Sequence, residues 1–343
     1  MLRKDWFKPG GALGGALFED WQRSQPEGFA GAPSPGQRIG AFVVKRPIGE
    51  GGMGAVYLAE RVGEFEQRVA LKLIKRRARG DDVERLFKRE RQLLARLNHA
   101  GIARLIDGGQ TDTGQHWFAM EWIDGATLDA WLKQTAPALA TRIDVFVRIA
   151  LSVAAAHEQL VIHGDIKPSN ILIDAKGQPF LLDFGIARAL DALETDEPTA
   201  MTPTIASPEQ AAGSALTVRS DVFQLGRLLA RMIDALPAPL AAIAAKAQSE
   251  DPAQRYPDVR ALIDDVRAWQ SHRPIGALPQ SWWTRSRLFV RRHGFATGAI
   301  AVAAMLLLGA TALYVFHIDA ARKEAQGSLA TARATMDFLT GLL

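Results

Sequence analysis

An uncharged apolar run, FATGAIAVAAMLLLGATALYVF at residues 295–316, constrains this chain more than any other feature of its sequence. A helix of 22 residues is about 33 Å long, which is enough to cross the hydrocarbon core of a bilayer. A secretion signal would lie at the N-terminus instead, and a soluble core helix is rarely apolar on every side. The sequence therefore predicts one membrane-spanning helix over 295–316.

Basic residues around this run predict its orientation. Four arginines lie at 285–292, directly before it, whereas the two basic residues after it, at 322–323, are diluted by acidic neighbours. The positive-inside rule then places the N-terminal side in the cytoplasm of a single-pass protein of the cell (inner) membrane. The net charge of +4 is concentrated near the run, which suits a membrane surface, and no nucleic-acid partner is expected.

The composition and periodicity of the remaining sequence change along its length. Gly, Pro and Ala dominate the start, short β-type runs follow, and helical periodicity comes last. The chain has no cysteine, so disulfides, thiolate metal sites and a cysteine nucleophile are excluded. The predicted regions are a flexible segment (1–38), a two-lobed α+β domain (39–270) with a β-rich N-lobe at 39–121 and a helical C-lobe at 125–270, a basic juxtamembrane linker (271–294) and, after the span, a helical extracytoplasmic start (317–343) that we expect to continue further.

A glycine-rich stretch, GEGGMGAV, lies between two predicted strands. Gly49, Gly51 and Gly54 give the spacing G-x-G-x-x-G, and glycines let a backbone close over phosphates without Cβ clashes. A dinucleotide-binding fold would need a helix directly after the glycines, but the strand-like AVYLAE follows. The pattern therefore favours a loop folded over ATP.

Lys72 lies in VALKLI, between Leu71 and Leu73. One interpretation is a surface lysine whose stem covers apolar neighbours. The other is a cation in a central strand, which requires an anionic partner. Glu90, in the next predicted helix, is expected to be that partner and to hold Lys72 toward the α- and β-phosphates, with Glu84 as the alternative.

The stretch HGDIKPSNIL, at 163–172, concentrates polar groups on one predicted loop. Asn170 and Asp183, the latter in LLDFG, offer oxygen ligands of the kind that Mg²⁺ prefers. Asp165 is predicted to orient a hydroxyl nucleophile and accept its proton, and Lys167 to neutralise charge on a transferred phosphoryl group. Together these residues predict phosphoryl transfer.

With SPEQ, DVFQLG and DPAQRY following in order, residues 40–270 resemble a bacterial eukaryotic-like (Hanks-type) serine/threonine protein kinase. The resemblance implies the two-lobed protein kinase fold and transfer of the ATP γ-phosphate to Ser and Thr hydroxyls of proteins, the kinase itself included. The resemblance also implies that the enzyme uses Mg²⁺ or Mn²⁺. It further implies a role in transmembrane signalling and assembly as a homodimer. A lysine two residues after Asp165 matches the Ser/Thr class rather than the Tyr class.

The resemblance also implies roles for single residues. Glu209 is expected to pair with Arg255, Asp221 to anchor the catalytic loop, and the Thr202 hydroxyl to face the catalytic Asp165. Phe184 and Gly185 complete the DFG motif. Met120 is the implied gatekeeper and 121–123 the hinge that contacts adenine. The implied nucleotide-binding set is Ile48, Gly49, Glu50, Gly51, Gly52, Met53, Gly54, Val56, Ala70, Lys72, Met120, Glu121 and Ile123.

The match departs from the family pattern at Gly164. Family members usually have arginine there, which receives a phosphate on the activation loop, and glycine cannot. We therefore expect that this kinase is not strictly switched on by that route. The candidate phosphosites are Thr195, Thr199, Thr202 and Thr204.

Two alternative classes remain open. HGD followed by Asn also occurs in small-molecule kinases of the aminoglycoside and choline type, although DFG, Lys167-Pro168 and SPEQ stand against that class. A pseudokinase, acting as a nucleotide-binding scaffold, is the other alternative, because 226–251 is shorter than is usual for the family. An active kinase is expected, since the catalytic positions are all present.

Overall fold

The structure of the protein is a computed structural model that describes residues 32–51, 54–63, 66–74, 85, 88, 91–184, 206–278, 302–319, 321–323 and 327. The strands are β1 (Arg38–Ile39), β2 (Phe42–Gly51), β3 (Gly54–Arg61), β4 (Arg68–Ile74), β5 (Leu105–Gln110), β6 (His116–Glu121), β7 (Gly125–Thr127), β8 (Ile171–Asp174) and β9 (Pro179–Leu181). The helices with assigned bounds up to residue 278 are α1 (Leu128–Thr135), α2 (Leu139–Glu158), α3 (Pro208–Ala211), α4 (Val218–Met232), α5 (Ala238–Ala247) and α6 (Val259–Gln270), with 3-10 turns at Pro168–Asn170 and Pro252–Gln254.

The N-lobe is one antiparallel sheet with the strand order β1-β2-β3-β4-β6-β5. Alternation along β4 gives this sheet two different faces. Val69, Leu71 and Leu73 pack into an apolar cluster on one face. Ala70 and Lys72 alternate with them and therefore belong to the opposite face. Leu71 and Leu73, the neighbours of Lys72 in the sequence, thus pack on the face of the sheet opposite to Lys72.

The C-lobe is built around α2, which carries buried residues from Ile143 to Ala156 and packs against α4 and α6. A helix that is apolar around most of its circumference has to be central. A second antiparallel sheet, β7-β8-β9, adjoins these helices. The loop between α2 and β8, residues 159–170, is therefore fixed at both ends by packed elements.

The stretch between α4 and α6 is as short as the sequence indicates. Residues 233–237 alone connect α4 to α5. The apolar side of α5, with Leu240, Ile243 and Ala247, is buried, and α5 packs against both α4 and α6. The short segment therefore closes the core without projecting a further helix.

Residues on both sides of the predicted bounds, 39–270, make contacts with the folded domain. The N–H of Gly36 donates to Val44 O at 2.8 Å, and the predicted boundary between 38 and 39 falls inside β1. At the other end Ile275 is buried in the core, and the N–H of Gly276 donates to Asp265 Oδ1 at 2.7 Å. These contacts involve backbone groups and one isolated apolar residue, which leave no periodic signal in the sequence.

A separate helix, Val302–Lys323, is long and apolar enough to cross a membrane. None of its apolar window is buried, whereas the core helix of a soluble domain would be. The predicted span 295–316 overlaps it from residue 302, and residues 295–301 lie outside the described part of the chain. The helix continues beyond Phe316, the predicted end, and its last turns contain charged residues. Its length and composition fit a single membrane-spanning helix.

Candidate active site

One face of the N-lobe sheet collects residues predicted to bind the nucleotide. In the antiparallel register Val56 lies opposite Lys72, and Ala70 lies opposite Met120. Residues paired directly across strands, and residues two apart on one strand, share a face. These four side chains therefore lie on the same face. The predicted hinge, 121–123, follows Met120 at the end of β6 and leads to β7.

The glycine-rich hairpin joins β2 to β3. Gly51 pairs with Gly54 across it. Gly54 has a φ of +154°, and a Cβ there would lie 2.0 Å from the carbonyl oxygen of Leu73. Only glycine permits so close an approach of β3 to β4. Gly52 and Met53, which separate the paired glycines in the sequence, lie outside the described residues.

The buried Lys72 is paired with a carboxylate of the C-lobe. Its Nζ lies 2.8 Å from Oδ1 of Asp183. Asp183 has a left-handed backbone with φ of +53°, a conformation that is uncommon for a residue with a side chain. The next residue, Phe184, is buried, and its ring centroid is 4.7 Å from that of His163. Asp183 thus faces the sheet while Phe184 packs into the core. Glu90, the predicted partner of Lys72, lies outside the described residues.

Asp165 is held by two residues of its own loop. Oδ2 of Asp165 is 2.7 Å from Lys167 Nζ and accepts a hydrogen bond from Asn170 Nδ2 at 2.9 Å. Asn170 Nδ2 also donates to the backbone oxygen of Asp165 at 2.9 Å. The 3-10 turn Pro168–Asn170 makes this possible, because it brings a residue five positions later back to Asp165. One carboxylate oxygen is thereby fixed, and the other is directed away from these partners.

His163 supports Asp165 from within the protein. Nε2 of His163 donates to Leu182 O at 2.9 Å, and Nδ1 accepts the N–H of Asp165 at 3.2 Å. Burial lowers the pKa of His163. A neutral ring with its hydrogen on Nε2 satisfies both contacts. The imidazole is therefore a fixed spacer between Asp165 and the strand that leads to Asp183.

Asp221, in the first turn of α4, anchors the loop as the resemblance implies. Its two carboxylate oxygens accept the backbone N–H groups of His163 at 2.9 Å and Gly164 at 2.8 Å. Oδ2 also lies 2.7 Å from His157 Nε2. Gly164 has a φ of +72°, a region that favours glycine. The backbone conformation at this position therefore favours glycine, independently of the missing arginine that would receive a phosphate.

Glu209 and Arg255 form the bidentate ion pair that the resemblance implies. The two N···O distances are 2.7 and 2.9 Å. Ser220 Oγ also donates to Glu209 at 2.7 Å. Burial alone would raise the pKa of Glu209, but the hydrogen bonds from Arg255 and Ser220 outweigh it and lower that pKa to about 2. This pair ties α3 to the turn before α6.

The donor set at the site fits a hard divalent ion. Leu182 N–H donates to Asn170 O at 2.8 Å, which brings the residue before Asp183 against Asn170. Because Asn170 Nδ2 donates to Asp165, the amide oxygen is the atom it can offer to a metal. Asp183 adds a carboxylate oxygen beside the one that contacts Lys72. Carboxylate and amide oxygens are suitable ligands for Mg²⁺.

Sequence reasoning missed contacts made by residues that carry no catalytic motif. Gln210 and Gln224 both bond to the loop around Asp165, and His157 bonds to Asp221. Gln224 follows Asp221 by three positions on α4, so two polar residues on one buried helix face were the available signal. Several predicted residues lie outside the described part of the chain: Gly52, Met53, Glu90, Gly185, Thr195, Thr199, Thr202 and Thr204.

Fold and site together define a class. The two lobes meet at a glycine hairpin, a strand lysine, a loop with one carboxylate and a second carboxylate after it. This arrangement is typical of a phosphotransferase that acts on a nucleoside triphosphate. Residues 42–272 match the family model described as protein kinase domain. The chain belongs to the protein kinase family.

Named relatives specify the branch of the family. A probable serine/threonine-protein kinase PknB of Lactococcus lactis is 30% identical over 259 residues, covering 66% of this chain and 41% of that protein. Serine/threonine-protein kinase PrkC of Bacillus subtilis is 34% identical over 203 residues, covering 58% and 31%. Serine/threonine-protein kinase PknD of Mycobacterium tuberculosis is 38% identical over 209 residues, covering 60% and 31%. A crystal structure of the PknI kinase domain of M. tuberculosis matches with a TM-score of 0.55 at 26% identity, covering 69% of this chain and 98% of that one.

These similarities confirm the predicted family, a bacterial Hanks-type serine/threonine protein kinase, and the predicted two-lobed fold. The small-molecule kinase class is not favoured. Membership of the family implies the use of ATP and a divalent metal. The chain spans 31% to 41% of the length of these three relatives, so what the rest of each relative does is not transferred to it.

Proposed function

We propose that the chain is a membrane-anchored serine/threonine protein kinase that transfers the γ-phosphate of ATP to Ser and Thr hydroxyls of proteins, itself included. The observation that carries the proposal is the position of Asp165. Its Oδ2 is held by Lys167 and Asn170. A fixed carboxylate beside a cationic side chain is what phosphoryl transfer to a hydroxyl requires.

Asp165 orients the acceptor hydroxyl and takes its proton. Because Oδ2 is engaged, Oδ1 is the oxygen available to the substrate. Lys167 Nζ, 2.7 Å from Oδ2, is near enough to the acceptor to compensate charge on the phosphoryl group as it moves. The Ser/Thr class follows from this lysine, two residues after Asp165.

Lys72 is directed at the α- and β-phosphates, with Glu90 as its helix partner, and the glycine hairpin covers them. Adenine lies between the sheet face that carries Ala70 and the hinge. Asn170 and Asp183 would hold Mg²⁺ or Mn²⁺, which when bound neutralises negative charge on the phosphates. The Lys72–Asp183 pair thus brings the phosphate-binding cation and a metal-binding carboxylate to one point.

The kinase domain is proposed to lie on the cytoplasmic side of the inner membrane. The helix Val302–Lys323 supports one span, and the arginines at 285–292 support the orientation. Residues 271–294 then form the juxtamembrane linker, and 317–343 begin the extracytoplasmic side. Transmembrane signalling as a homodimer is the corresponding proposal for the whole protein.

The proposal is tested with the full chain in detergent micelles, incubated with Mg²⁺ or Mn²⁺ and γ-labelled ATP. We expect label on the protein and on a generic basic protein, and phosphosite mapping should find Ser and Thr only. Asp165→Asn is the matched inactive variant, because it keeps size and removes the proton acceptor. No transfer with either ion would contradict the proposal and favour a pseudokinase.

A further inference from the structure

The carbonyl oxygen of Gly164 accepts two side-chain hydrogen bonds inside the protein. Gln210 Nε2 donates to it at 3.0 Å and Gln224 Nε2 at 2.9 Å. Gln210 is 5% exposed and Gln224 1%, so water does not compete for these contacts. A buried carbonyl with two amide donors is held much more firmly than one with a single partner.

Gln224 makes a second contact on the other side of Asp165. Its Oε1 accepts the N–H of Ile166 at 2.7 Å, and its Nε2 also donates to Gln210 Oε1 at 2.9 Å. The orientation of the Gln224 amide is therefore fixed, because only one placement of nitrogen and oxygen satisfies all of these partners. The backbone on both sides of Asp165 is bonded to one side chain.

Gln210 connects this arrangement to α3. That helix begins at Pro208, a few residues after the candidate phosphosites at 195–204. In family members that have arginine at the position of Gly164, the corresponding connection runs through a phosphate. Here the neutral amides of Gln210 on α3 and Gln224 on α4 bond directly to the carbonyl of Gly164.

We propose that Gln210 and Gln224 are positioning residues that hold Asp165 in its catalytic orientation without a phosphate. The inference rests on the proposed kinase function for its effect on rate, but the geometric part stands independently. Neither glutamine touches the substrate; each acts through the backbone of 164–166. Loss of either one should lower the rate of phosphoryl transfer more than it weakens binding of ATP.

The test uses Gln224→Leu and Gln210→Leu in the full chain. We expect kcat to fall by about tenfold to a hundredfold, since small displacements of a catalytic group cost that much. KM for ATP should change by less than about twofold, because the nucleotide contacts lie on the N-lobe sheet. Gln115→Leu is the matched control. Gln115 is also buried, at 7% exposure, and donates to Ile74 O at 2.9 Å, far from the loop in sequence.

Thermal melting separates positioning from loss of fold. The control should lose similar stability while kcat stays within about twofold of wild type. If Gln224→Leu shows no cooperative transition, the test rests on Gln210→Leu, because that variant keeps the hydrogen bond from the Ile166 N–H to Gln224. Activity in the folded glutamine variants that equals that of the control would overturn the proposal.

Amide hydrogen exchange provides a readout that needs no activity. We expect faster exchange in peptides that cover 163–167 in both glutamine variants, and unchanged exchange there in the control. If the wild-type chain transfers no phosphate, the proposed kinase function fails, while the exchange result still tests whether Gln210 and Gln224 hold the loop around Asp165. Unchanged exchange at 163–167 in both variants would show that the two glutamines do not hold this loop, whatever the activity.

Discussion

Lys72 Nζ lies 2.8 Å from Oδ1 of Asp183. This ion pair joins the N-lobe sheet to the DFG motif, and among the described residues it is the only one that does so. The lysine comes from β4, and the aspartate from the segment after β9. The pair is mostly shielded, with side-chain exposures of 11% and 30%. Each charge compensates the other in this pair.

Lys72→Met should abolish phosphate transfer, with a loss of at least about a hundredfold. Methionine keeps the unbranched stem in the apolar strand but removes the cation that would meet the phosphates. Initial rates of γ-phosphate incorporation measure the effect. The protein should still melt cooperatively, because the neighbouring leucines that fill the sheet cluster are untouched.

Lys45→Met is the control for this substitution. Lys45 is also a strand lysine with a carboxylate partner at 2.8 Å, Glu60, but its side chain is 46% exposed. Exposed ion pairs contribute little, so the rate should stay within about twofold. A folded Lys72→Met protein with a rate within tenfold of wild type would rule out the proposed phosphate contact.

Glu209→Gln should destabilise the kinase domain at neutral pH by about 3 kcal/mol, because it leaves Arg255 buried beside an uncharged amide. Glu209 has a pKa lowered from 4.5 to about 2. A lowered pKa contributes stability that is present above 4.5 and lost as pH falls toward 2. The melting temperature of the variant should therefore be lower than that of wild type at pH 7, and the difference should shrink below pH 4.5.

Glu158→Gln controls for the loss of an ion pair as such. Its pair with Arg260 has side chains that are 54% and 63% exposed, so the expected change in melting temperature is small at every pH. A deficit in Glu209→Gln that stays constant from pH 7 to pH 3 would contradict the assigned source of stability.

The sequence was sufficient to predict the fold class because its signals are local. Short β-type runs predicted the β-rich N-lobe, and helical periodicity later in the chain predicted the helical C-lobe. The loop at 163–172 was recognisable because Asp165, Lys167 and Asn170 have to stand at fixed spacing to meet on one 3-10 turn.

What could not be predicted depends on contacts between distant segments. The pairing of Lys72 with Asp183 joins residues more than a hundred positions apart, and no periodicity reports it. The amides of Gln210 and Gln224 look like ordinary polar residues in the sequence, and only the fold shows that they converge on Gly164. Burial of Ile275 was missed for the same reason.

Deletion of 295–316 should release the protein into the soluble fraction, because no other described segment is long and apolar enough to span a bilayer. Ultracentrifugation of lysates measures the effect. Deletion of 317–343 is the control and should leave the protein in the membrane. A washing step at high salt removes binding through the arginines at 285–292. Membrane residence of the 295–316 deletion after that wash would disprove a single anchor.

Replacement of the four candidate threonines at 195–204 by alanine should leave substantial transfer activity. Gly164 offers no side chain to a phosphate, and its N–H and C=O are already bonded to Asp221, Gln210 and Gln224. The loop around Asp165 is thus held by neutral amides and one buried carboxylate, whether or not the threonines are modified. The rate is measured on a generic basic protein, so that lost autophosphorylation sites do not lower the signal. We expect at least about a third of the wild-type rate, and a loss as large as that of Asp165→Asn would show that phosphorylation of this segment is required after all.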